Sequence, residues 1–428
     1  MKTANDERNE GISDCKTTGF QTRLLHGRTA GTGSNGDTLP EISQCSAYAY
    51  DSAEKLEEVF AGTSPGFVYT RIGNPTVSAF EQRINELEGG VGAVACSSGM
   101  AAVSVALMNI LSAGDEVIAA SGLFGGTLDL FRDLEKFGIV TRYVDKLTVE
   151  EVSEQLTDRT RAVFGEVIGN PGLQVVDVAG LGAFLHERNL PLLLDSTTTT
   201  PYMLRPIDLG ADVVIHSSSK YINGIGGAVS GIIVDSGNFP WDFDRYPALA
   251  EYRKYGKLAY LARLRNDIWR NLGTCLAPFN AYLNVLGLET LGLRMERICE
   301  NAKQLAFALY ELDGVSVNYP LLPDHPDREL TERQFRGRGG GILTLRVGSR
   351  ARANRFINTL KYAKIATNIG DVRTLVIPPS STIYLHSSEA AKARAGVFDD
   401  TVRVSVGIED AADLIADFTQ TILDLPDE

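Results

Sequence analysis

The fold class is decided by residues 190–220, which read LPLLLDSTTTTPYMLRPIDLGADVVIHSSSK. This stretch contains two short apolar runs, LPLLLD (190–195) and ADVVIH (211–216), and each is followed directly by hydroxyl-bearing residues. Short apolar runs without alternation are typical of strands that are buried on both faces of a parallel sheet. Parallel strands need a crossover connection, and the residues between the two runs supply it. The stretch therefore predicts two neighbouring strands of a parallel sheet.

Similar strands alternate with amphipathic helical runs through the middle of the chain. The further strands predicted there are GAVAC (92–96), DEVIAA (115–120), RAVFGEV (161–167) and SGIIVDS (230–236). This alternation predicts an α/β fold with a mostly parallel sheet. Near residue 276 the pattern changes to a long helical run with a possible break at its glycines. Two strand candidates, GGGILTLRV (339–347) and TVRVSVGIED (401–410), follow it and indicate a smaller α+β domain.

We therefore expect three parts along the chain. The first is an N-terminal arm (1–70), which is rich in glycine and serine around GTGSNG (31–36). The second is a large domain (71–275), and the third is a smaller C-terminal domain (276–428).

Composition excludes several classes of function. The net charge of −13 argues against nucleic acid as a partner, because phosphate binding requires a basic surface. No run approaches about 18 apolar residues, so no membrane span is expected. A polar N-terminus unlike a secretory signal, and five cysteines without a CxxC pair, favour a cytoplasmic protein with reduced thiols. The histidines lack metal-ligand spacing, and no GxGxxG motif follows a strand, so neither a metal nor a dinucleotide site is predicted.

A carboxylate and an amine follow the two strands of the opening stretch. Asp195 ends the first strand and is followed by Ser196 and four threonines, whereas Lys220 follows the second strand after three serines. In open parallel sheets, ligands bind beyond the carboxyl ends of the strands. Pyridoxal phosphate needs a lysine for its aldehyde, a carboxylate for its ring nitrogen and donors for its phosphate. Taken singly, Asp195 also fits a helix cap and Lys220 a solvated side chain.

A set of ordered motifs carries a resemblance to a known family. The motifs are YTRIGNPT (69–76), SSGMAA (97–102), LFGGT (123–127), GEVIGNP (165–171), LLLDSTTTTP (192–201), HSSSKYINGIGG (216–227), LGLETLGLRM (286–295) and VRVSVGIED (402–410). They appear in the order of the Cys/Met-metabolism family of pyridoxal-phosphate enzymes, which this chain resembles from about Gly19 to Asp424. The resemblance implies a fold type I pyridoxal-phosphate transferase, similar to aspartate aminotransferase.

The resemblance also implies a role for each matching residue. Lys220 matches the Schiff-base lysine and Asp195 the partner of the pyridine nitrogen. The positions that match other cofactor contacts are Ser98, Gly99, Met100, Phe124, Asn170, Thr197, Ser217 and Ser219; of these, Ser217, Ser219 and the amides of Gly99 and Met100 match phosphate donors. Tyr69 and Arg71 match residues that reach the phosphate of the neighbouring subunit, and Tyr69 is also a candidate for proton transfer. This implies that the arm contacts that subunit, in a homodimer at least, with a homotetramer as the family expectation.

The substrate is expected at three further positions. Arg403 matches the arginine that binds the substrate α-carboxylate, a bidentate task to which a guanidinium is suited. Ser381 lies in the loop PPSST (378–382) that lines the substrate site in the family. Arg373 occupies a position near the distal pocket, where a basic residue favours an uncharged or acidic substrate tail; a solvent-facing Arg373 is the alternative.

The sequence departs from the family pattern at several positions. Phe124 replaces the usual tyrosine over the cofactor ring, so stacking is retained but the phenol is absent. Gly126 stands where methionine γ-lyases carry a cysteine. Ile225 replaces a frequent histidine, and the pair Ile383 and Tyr384 stands where the family often has Thr-His.

Among the branches of the family, the motifs are most similar to the O-acetylhomoserine sulfhydrylases. The reaction implied is γ-replacement on an activated homoserine such as O-acetylhomoserine, with sulfide, a thiol or another nucleophile, through a vinylglycine-type intermediate. Two alternatives remain open. One is a γ-lyase that releases 2-oxobutanoate and ammonia, and the other is a non-catalytic homologue that binds the cofactor, which the loss of the phenol at Phe124 motivates.

Overall fold

A computed structural model describes residues 19–26 and 37–426. The segment 31–36 of the predicted N-terminal arm, together with residues 1–18 and 27–30 of that arm, lies outside the described residues. The chain divides into two compact units. The first unit comprises Met1–Leu111, Asp212–Ser219 and Gly227–Glu289, and the second comprises Ser112–Ala211, Lys220–Gly226 and Thr290–Glu428. The predicted division after residues 70 and 275 stays a prediction.

The helices and strands alternate through most of the described chain. The helices are α1 (Phe20–His26), α2 (Ala53–Phe60), α3 (Pro75–Glu88), α4 (Gly99–Met108), α5 (Gly125–Glu135), α6 (Val149–Gln155), α7 (Val178–His186), α8 (Thr200–Met203), α9 (Ala259–Arg263), α10 (Trp269–Leu272), α11 (Pro278–Leu288), α12 (Leu291–Tyr310), α13 (Arg328–Gln334), α14 (Arg350–Thr359), α15 (Glu389–Arg394) and α16 (Ala411–Leu423). The strands are β1 (Gly92–Cys96), β2 (Glu116–Ala120), β3 (Val140–Val144), β4 (Thr160–Glu166), β5 (Leu192–Asp195), β6 (Val213–His216), β7 (Gly231–Asp235), β8 (Ser316–Asn318), β9 (Ile342–Arg346), β10 (Lys364–Ile365), β11 (Leu375–Ile377) and β12 (Thr401–Ser405). Short 3₁₀ segments at Pro206–Leu209, Pro247–Leu258 and Pro379–Ser381 and a π segment at Leu264–Ile268 complete the set.

The first unit is built around three strands in the order β1-β7-β6. Strand β7 runs antiparallel to both neighbours, and Ile233 pairs with Val94 on one side and Ile215 on the other. Helix α3 begins with a strong start signal: Asn74 caps its first turn and Pro75 follows at the first position. Strand β6 ends at His216, so the serines of the opening motif follow directly from a buried strand.

The second unit contains the parallel strands, in the order β5-β4-β2-β3. Each described pairing among these four strands is parallel, so their carboxyl ends lie on one edge. Glu166 at the end of β4 pairs in register with Asp195 at the end of β5. Two carboxylates therefore emerge side by side at the edge where ligands bind in such sheets.

A second sheet of the same unit has the order β10-β11-β12-β9-β8. It is antiparallel except for the short β10–β11 pair. Its apolar face packs with α12, α14 and α16 around Leu343, Phe356 and Phe418, which are fully buried. Strand β12 carries Arg403 in its centre, only 3 % exposed, so this arginine does not lie on a solvent face.

The α/β class and the mostly parallel character of the main sheet are confirmed. The long helical run after residue 276 is two helices, α11 and α12, which are separated at Glu289 and Thr290. Strand β3 was not predicted, because the run VTRYV alternates between exposed and buried residues at the edge of the sheet. Within the described ranges, no helix has both the length and the apolar character needed to cross a bilayer.

Candidate active site

Lys220 belongs to the second unit, where its amine donates a hydrogen bond to a side chain of the turn between β10 and β11. Its Nζ donates to Asn368 Oδ1 at 2.6 Å. Burial, with a smaller contribution from the charge of Arg403, lowers the pKa of Lys220 to about 8. The turn that carries Asn368 lies close to the lysine backbone, because a Cβ on Gly370 would be 2.5 Å from Tyr221 N. Gly370 also has a φ of +72°, a left-handed conformation that favours glycine.

Arg403 lies on β12 and contacts the same asparagine through a different atom. Its Nη2 donates to the backbone oxygen of Asn368 at 3.0 Å, and its Nη1 donates to Asn170 Oδ1 at 3.3 Å. The buried Nε has no hydrogen-bond partner among the described residues. Burial lowers the pKa of Arg403 to about 10. A desolvated guanidinium with a spare donor is suited to receive a carboxylate.

Two carboxylates lie at the ends of β4 and β5. Glu166 accepts a hydrogen bond from Phe124 N at 2.7 Å through Oε1 and from Asn170 N at 3.0 Å through Oε2. Its full burial, and then the charge of Asp195, raise the pKa of Glu166 to about 8. Asp195 Oδ1 accepts from Thr197 N at 2.8 Å, which orients that carboxylate. Asp195 therefore supplies negative charge at the sheet edge, beside the Glu166 carboxyl, which resists ionisation.

Phe124 lies at the start of α5 and has its backbone fixed by Glu166. It is the N-cap residue of that helix, and no side chain caps the helix there. The next residue, Gly125, approaches another loop closely: a Cβ at this position would lie 2.6 Å from Ile383 O. The backbone of Phe124 is therefore held by a hydrogen bond at its amide and by close packing at the next residue.

The first unit contains the predicted phosphate-binding residues. Ser98 caps α4 by accepting a hydrogen bond from Ala101 N at 3.0 Å. A Cβ on Gly99 would lie 2.6 Å from Ser217 Cβ, so the start of this ten-residue helix lies against the serine loop. The first backbone N–H groups of a helix lack partners within the helix and attract anions. The amides of Gly99 and Met100 and the hydroxyl of Ser217 thus form a site suited to a phosphate.

The neighbouring serines stabilise this loop. Ser219 Oγ donates to Ser230 O at 3.0 Å and accepts from Ser230 N at 2.8 Å. The buried Ser218 donates to Ser230 Oγ at 2.8 Å, and Asn284 donates to the same oxygen at 2.8 Å. Ser230 therefore joins the serine loop to β7 and α11.

Tyr69 and Arg71 lie beside each other in the first unit. The Arg71 guanidinium is 5.5 Å from the Tyr69 ring centroid and donates to Arg270 O at 2.9 Å. Tyr69 is 43 % exposed. Both residues line a cavity of about 360 Å³, together with Gln44, Cys45, Ser46, Thr70, Cys275 and Pro278.

The other two predicted substrate residues, Ser381 and Arg373, lie in two loops of the second unit. Ser381 ends the 3₁₀ segment Pro379–Ser381, whose neighbouring Ser380 donates to Asp399 Oδ1 at 2.7 Å. Arg373 pairs with Asp371 at 3.1 Å and its side chain is 60 % exposed. The structure thus gives Arg373 a carboxylate partner within its own loop.

The structure connects Lys220 to Arg403 through Asn368, a residue that sequence reasoning did not single out, and Arg403 in turn donates to Asn170. Glu166 was also missed, although it ends a strand just as Asp195 does, which is a usable signal. No such signal marks Asn368, because it lies in an irregular turn between β10 and β11. No cluster of three or more histidine, cysteine or acidic side chains suited to a metal occurs in the described part of the chain.

These residues fit pyridoxal phosphate by their chemistry. The second unit offers a partly buried amine of lowered pKa, a strand-end carboxylate and a guanidinium with an unused donor. The first unit offers a helix N-terminus beside serine hydroxyls.

Comparison with known proteins agrees with this assignment. The model of the family described as "Cys/Met metabolism PLP-dependent enzyme" matches residues 21–423. O-acetyl-L-homoserine sulfhydrylase 1 from Thermus thermophilus is 39% identical over 421 residues, which cover 94% of this chain and 99% of that protein. O-acetyl-L-homoserine sulfhydrylase from Corynebacterium glutamicum is 38% identical, with 93% and 95% of the two chains covered.

A solved structure from Campylobacter jejuni is similar over its whole length. It has a TM-score of 0.90 and 31% sequence identity, and it covers 95% of this chain and 100% of the other. That structure contains N'-pyridoxyl-lysine-5'-monophosphate. The predicted cofactor is confirmed, and this chain belongs to the Cys/Met-metabolism family of pyridoxal-phosphate-dependent enzymes.

Proposed function

We propose that this enzyme catalyses γ-replacement on O-acetylhomoserine, with sulfide as the nucleophile. The observation that carries the proposal is the group formed by Lys220, Asn368 and Arg403 in the second unit. It places an amine suited to proton transfer next to a guanidinium suited to an amino-acid carboxylate. The choice of O-acetylhomoserine and sulfide is supported by the names of the relatives, sulfhydrylases of O-acetylhomoserine.

When bound, pyridoxal phosphate withdraws electrons from the substrate, which acidifies its Cα and Cβ protons and allows the γ-acetoxy group to leave. Lys220 would hold the cofactor through Nζ. With a pKa of about 8, its amine is partly neutral near neutral pH, and it can therefore take up a proton and return it. Asn368 Oδ1 keeps that amine in one place while it does so.

Arg403 binds the α-carboxylate in this proposal. Its Nη1 and Nη2 already donate to Asn170 and to the Asn368 backbone, so the guanidinium plane is fixed before the substrate arrives. The carboxylate would supply the opposite charge that a buried guanidinium lacks, and charge-assisted hydrogen bonds are the stronger kind. Ser381 would line the same substrate pocket, and Arg373 would favour a tail without positive charge.

Asp195 would hold the pyridine nitrogen in its protonated form. The carboxylate is oriented for this by the Thr197 amide. Asn170 would contact the ring hydroxyl, and Phe124 would stack on the ring. In the first unit, Ser217, Ser98, Gly99 and Met100 would bind the phosphate, the last two through backbone amides. Ser219 would join them by turning its hydroxyl proton away from Ser230 O.

We further propose that the enzyme is a homodimer at least, and a homotetramer by analogy with its family, in the cytoplasm. The exposed Tyr69 and its neighbour Arg71 support this, because an aromatic ring and a guanidinium are enriched at protein interfaces. In the proposed dimer, the two side chains would reach the phosphate of the other subunit.

The direct test is incubation of the purified enzyme with O-acetylhomoserine, with and without sulfide. We expect homocysteine when sulfide is present, and no product from a Lys220→Ala variant. Formation of 2-oxobutanoate alone, whether or not sulfide is added, would instead identify a γ-lyase. Cofactor absorption without either product would identify a homologue that binds the cofactor and has no turnover on this substrate.

A further inference from the structure

The peptide group between Leu123 and Phe124 is hydrogen-bonded at both ends. Its carbonyl oxygen accepts from Tyr384 Oη at 2.7 Å, and its N–H donates to Glu166 Oε1 at 2.7 Å. A peptide group is planar, so two such bonds fix the orientation of its plane and with it the N–Cα bond from which the Phe124 side chain departs. One of the two bonds comes from the sheet edge, and the other comes from a loop.

That loop carries Ser381 and ends at Tyr384. Its shape is maintained by Thr382 Oγ1, which donates to Pro378 O at 2.7 Å, and by Tyr384 N, which donates to Pro379 O at 3.0 Å. The loop meets the start of α5 at a second point, where the carbonyl of Ile383 lies 2.6 Å from the place of a Cβ on Gly125. The loop and the Phe124 turn therefore contact each other twice, once through a side chain and once through backbone.

Tyr384 is suited to be a permanent hydrogen-bond donor. Its side chain is fully buried and packs with Ala395 and Val397. Burial, and then the negative charge of Glu166, raise the pKa of Tyr384 far above its usual value, so the phenol stays protonated at any working pH. If the hydroxyl were removed, the buried oxygen of Leu123 would lose the hydrogen bond that Tyr384 donates, and an unpaired buried acceptor is costly.

We propose that Tyr384 is a positioning residue that ties the Ser381 loop to the peptide group that orients Phe124. The proposal rests on the proposed function, in which Phe124 stacks on the cofactor ring and Ser381 lines the substrate pocket. Tyr384 does not touch the reacting atoms. It acts through Leu123 and the loop, so its loss changes how firmly the cofactor ring and the substrate are held.

The test is the Tyr384→Phe variant of the holoenzyme, compared with Tyr319→Phe as a matched control. Tyr319 is also a fully buried tyrosine of the second unit that donates to a backbone carbonyl, Gly340 O at 3.0 Å, but it lies in the core of the other sheet. Both changes delete one hydroxyl and keep the ring. The measurements are the visible circular dichroism of the bound cofactor, the dissociation constant for pyridoxal phosphate, and KM and kcat for O-acetylhomoserine.

For Tyr384→Phe we expect a weaker visible dichroism band, cofactor affinity reduced about 3- to 10-fold and KM raised by a similar factor, which is the size expected for one lost hydrogen bond. Tyr319→Phe should change none of these. Unchanged dichroism and cofactor affinity in Tyr384→Phe would overturn the proposal, as would an equal change in both variants.

A second variant covers the case in which Tyr384→Phe does not fold. Gly125→Ala would push the Ile383 carbonyl away, and it would thereby weaken the second contact between the Ser381 loop and the Phe124 turn. A weaker dichroism band and lower cofactor affinity in Gly125→Ala would support the proposal, and unchanged values would overturn it. The cofactor measurements do not need turnover, so they remain decisive if the wild-type enzyme makes no homocysteine, a result that would overturn the proposed function alone.

Discussion

Asn368 contacts two basic side chains of the second unit, those of Lys220 and Arg403, through two different oxygen atoms. Its side-chain oxygen accepts from Lys220, whereas its backbone oxygen accepts from Arg403. A substitution at this position removes the first contact and keeps the second. The two roles of the residue group, proton transfer and carboxylate binding, can therefore be separated by one variant.

We predict that Asn368→Ala lowers kcat about 10- to 100-fold and changes KM for O-acetylhomoserine by less than about threefold, because one hydrogen bond to a charged group is lost and the Arg403 contact remains. Steady-state kinetics measure both parameters. Asn318→Ala is the matched control, since Asn318 donates to Gly172 O at 3.0 Å in the same unit. A large rise in KM with unchanged kcat would contradict the assignment.

The raised pKa of Glu166 makes the free energy of unfolding depend on pH, and the direction of this dependence can be worked out. Its pKa is raised from 4.5 to about 8 in the folded protein, first by burial and then by Asp195. The folded state therefore binds more protons than the unfolded state between these values. The stabilising contribution of Glu166 to the free energy of unfolding is fully present below about pH 4.5, and it is lost as the pH rises to about 8.

We predict that the free energy of unfolding of the cofactor-free wild type falls, relative to Glu166→Gln, between pH 5 and pH 8. Urea titrations at several pH values measure this difference. The lowered pKa of Lys220 makes the free energy of unfolding rise with pH above about 8. This effect is present in the wild type and in the variant, so it cancels when the two are compared. Glutamine also loses one acceptor, so the variant should be destabilised by about 1–3 kcal/mol at its least favourable pH. A difference that stays constant over this range would contradict the raised pKa.

At the scale of elements, the start of α4 and the serine loop after β6 form one structural feature of the first unit. Their contact requires a glycine, since a Cβ on Gly99 would lie 2.6 Å from Ser217 Cβ. The helix supplies the N–H groups of its first turn and the loop supplies hydroxyls. A change in the distance between the helix and the loop therefore weakens both sets of donors.

We predict that Gly99→Ala lowers the affinity for pyridoxal phosphate about 10-fold or more, because the clash displaces Ser217 at a cost of about 1–3 kcal/mol. A fluorescence titration of cofactor-free protein with pyridoxal phosphate measures this affinity. Gly19→Ala is the control, because an added Cβ there meets no atom of the described residues within 4 Å. Equal affinity in wild type and Gly99→Ala would argue against phosphate binding at this helix.

The elements differ in how far the sequence predicts them. The strands with continuous apolar runs, such as β5 and β6, were predicted within two residues of their bounds. The edge strand β3 and the short β10 were not predicted, since exposed positions interrupt their apolar pattern. Asn368 could not be predicted for a similar reason. Its contact with Lys220 depends on a turn at Gly370 that packs against Tyr221, and no local sequence pattern indicates such a long-range contact.

At the scale of the whole molecule, each unit is assembled from three separate segments of the chain. The predicted division at residues 70 and 275 runs along the sequence, and it stays a prediction. Composition and motif order predicted the class of protein correctly. They did not predict which segments form a unit, because this depends on contacts between residues far apart in sequence.

We predict that sedimentation shows a dimer or a larger oligomer, since Tyr69 and Arg71 are proposed to act across subunits. Analytical ultracentrifugation of the holoenzyme measures its oligomeric state. The double variant Tyr69→Ala and Arg71→Ala should bind the cofactor about 10-fold more weakly or worse, because charge-assisted phosphate contacts are the strong ones. A monomer with full activity would exclude this arrangement.

The most direct measurement is reduction of the purified holoenzyme with borohydride, followed by mass spectrometry of its peptides. Reduction would trap pyridoxal phosphate on the amine that holds it. We predict a phosphopyridoxyl group on the peptide that contains Lys220, and loss of that group in Lys220→Ala. A label on another lysine, or purified protein without any pyridoxal phosphate, would contradict the account.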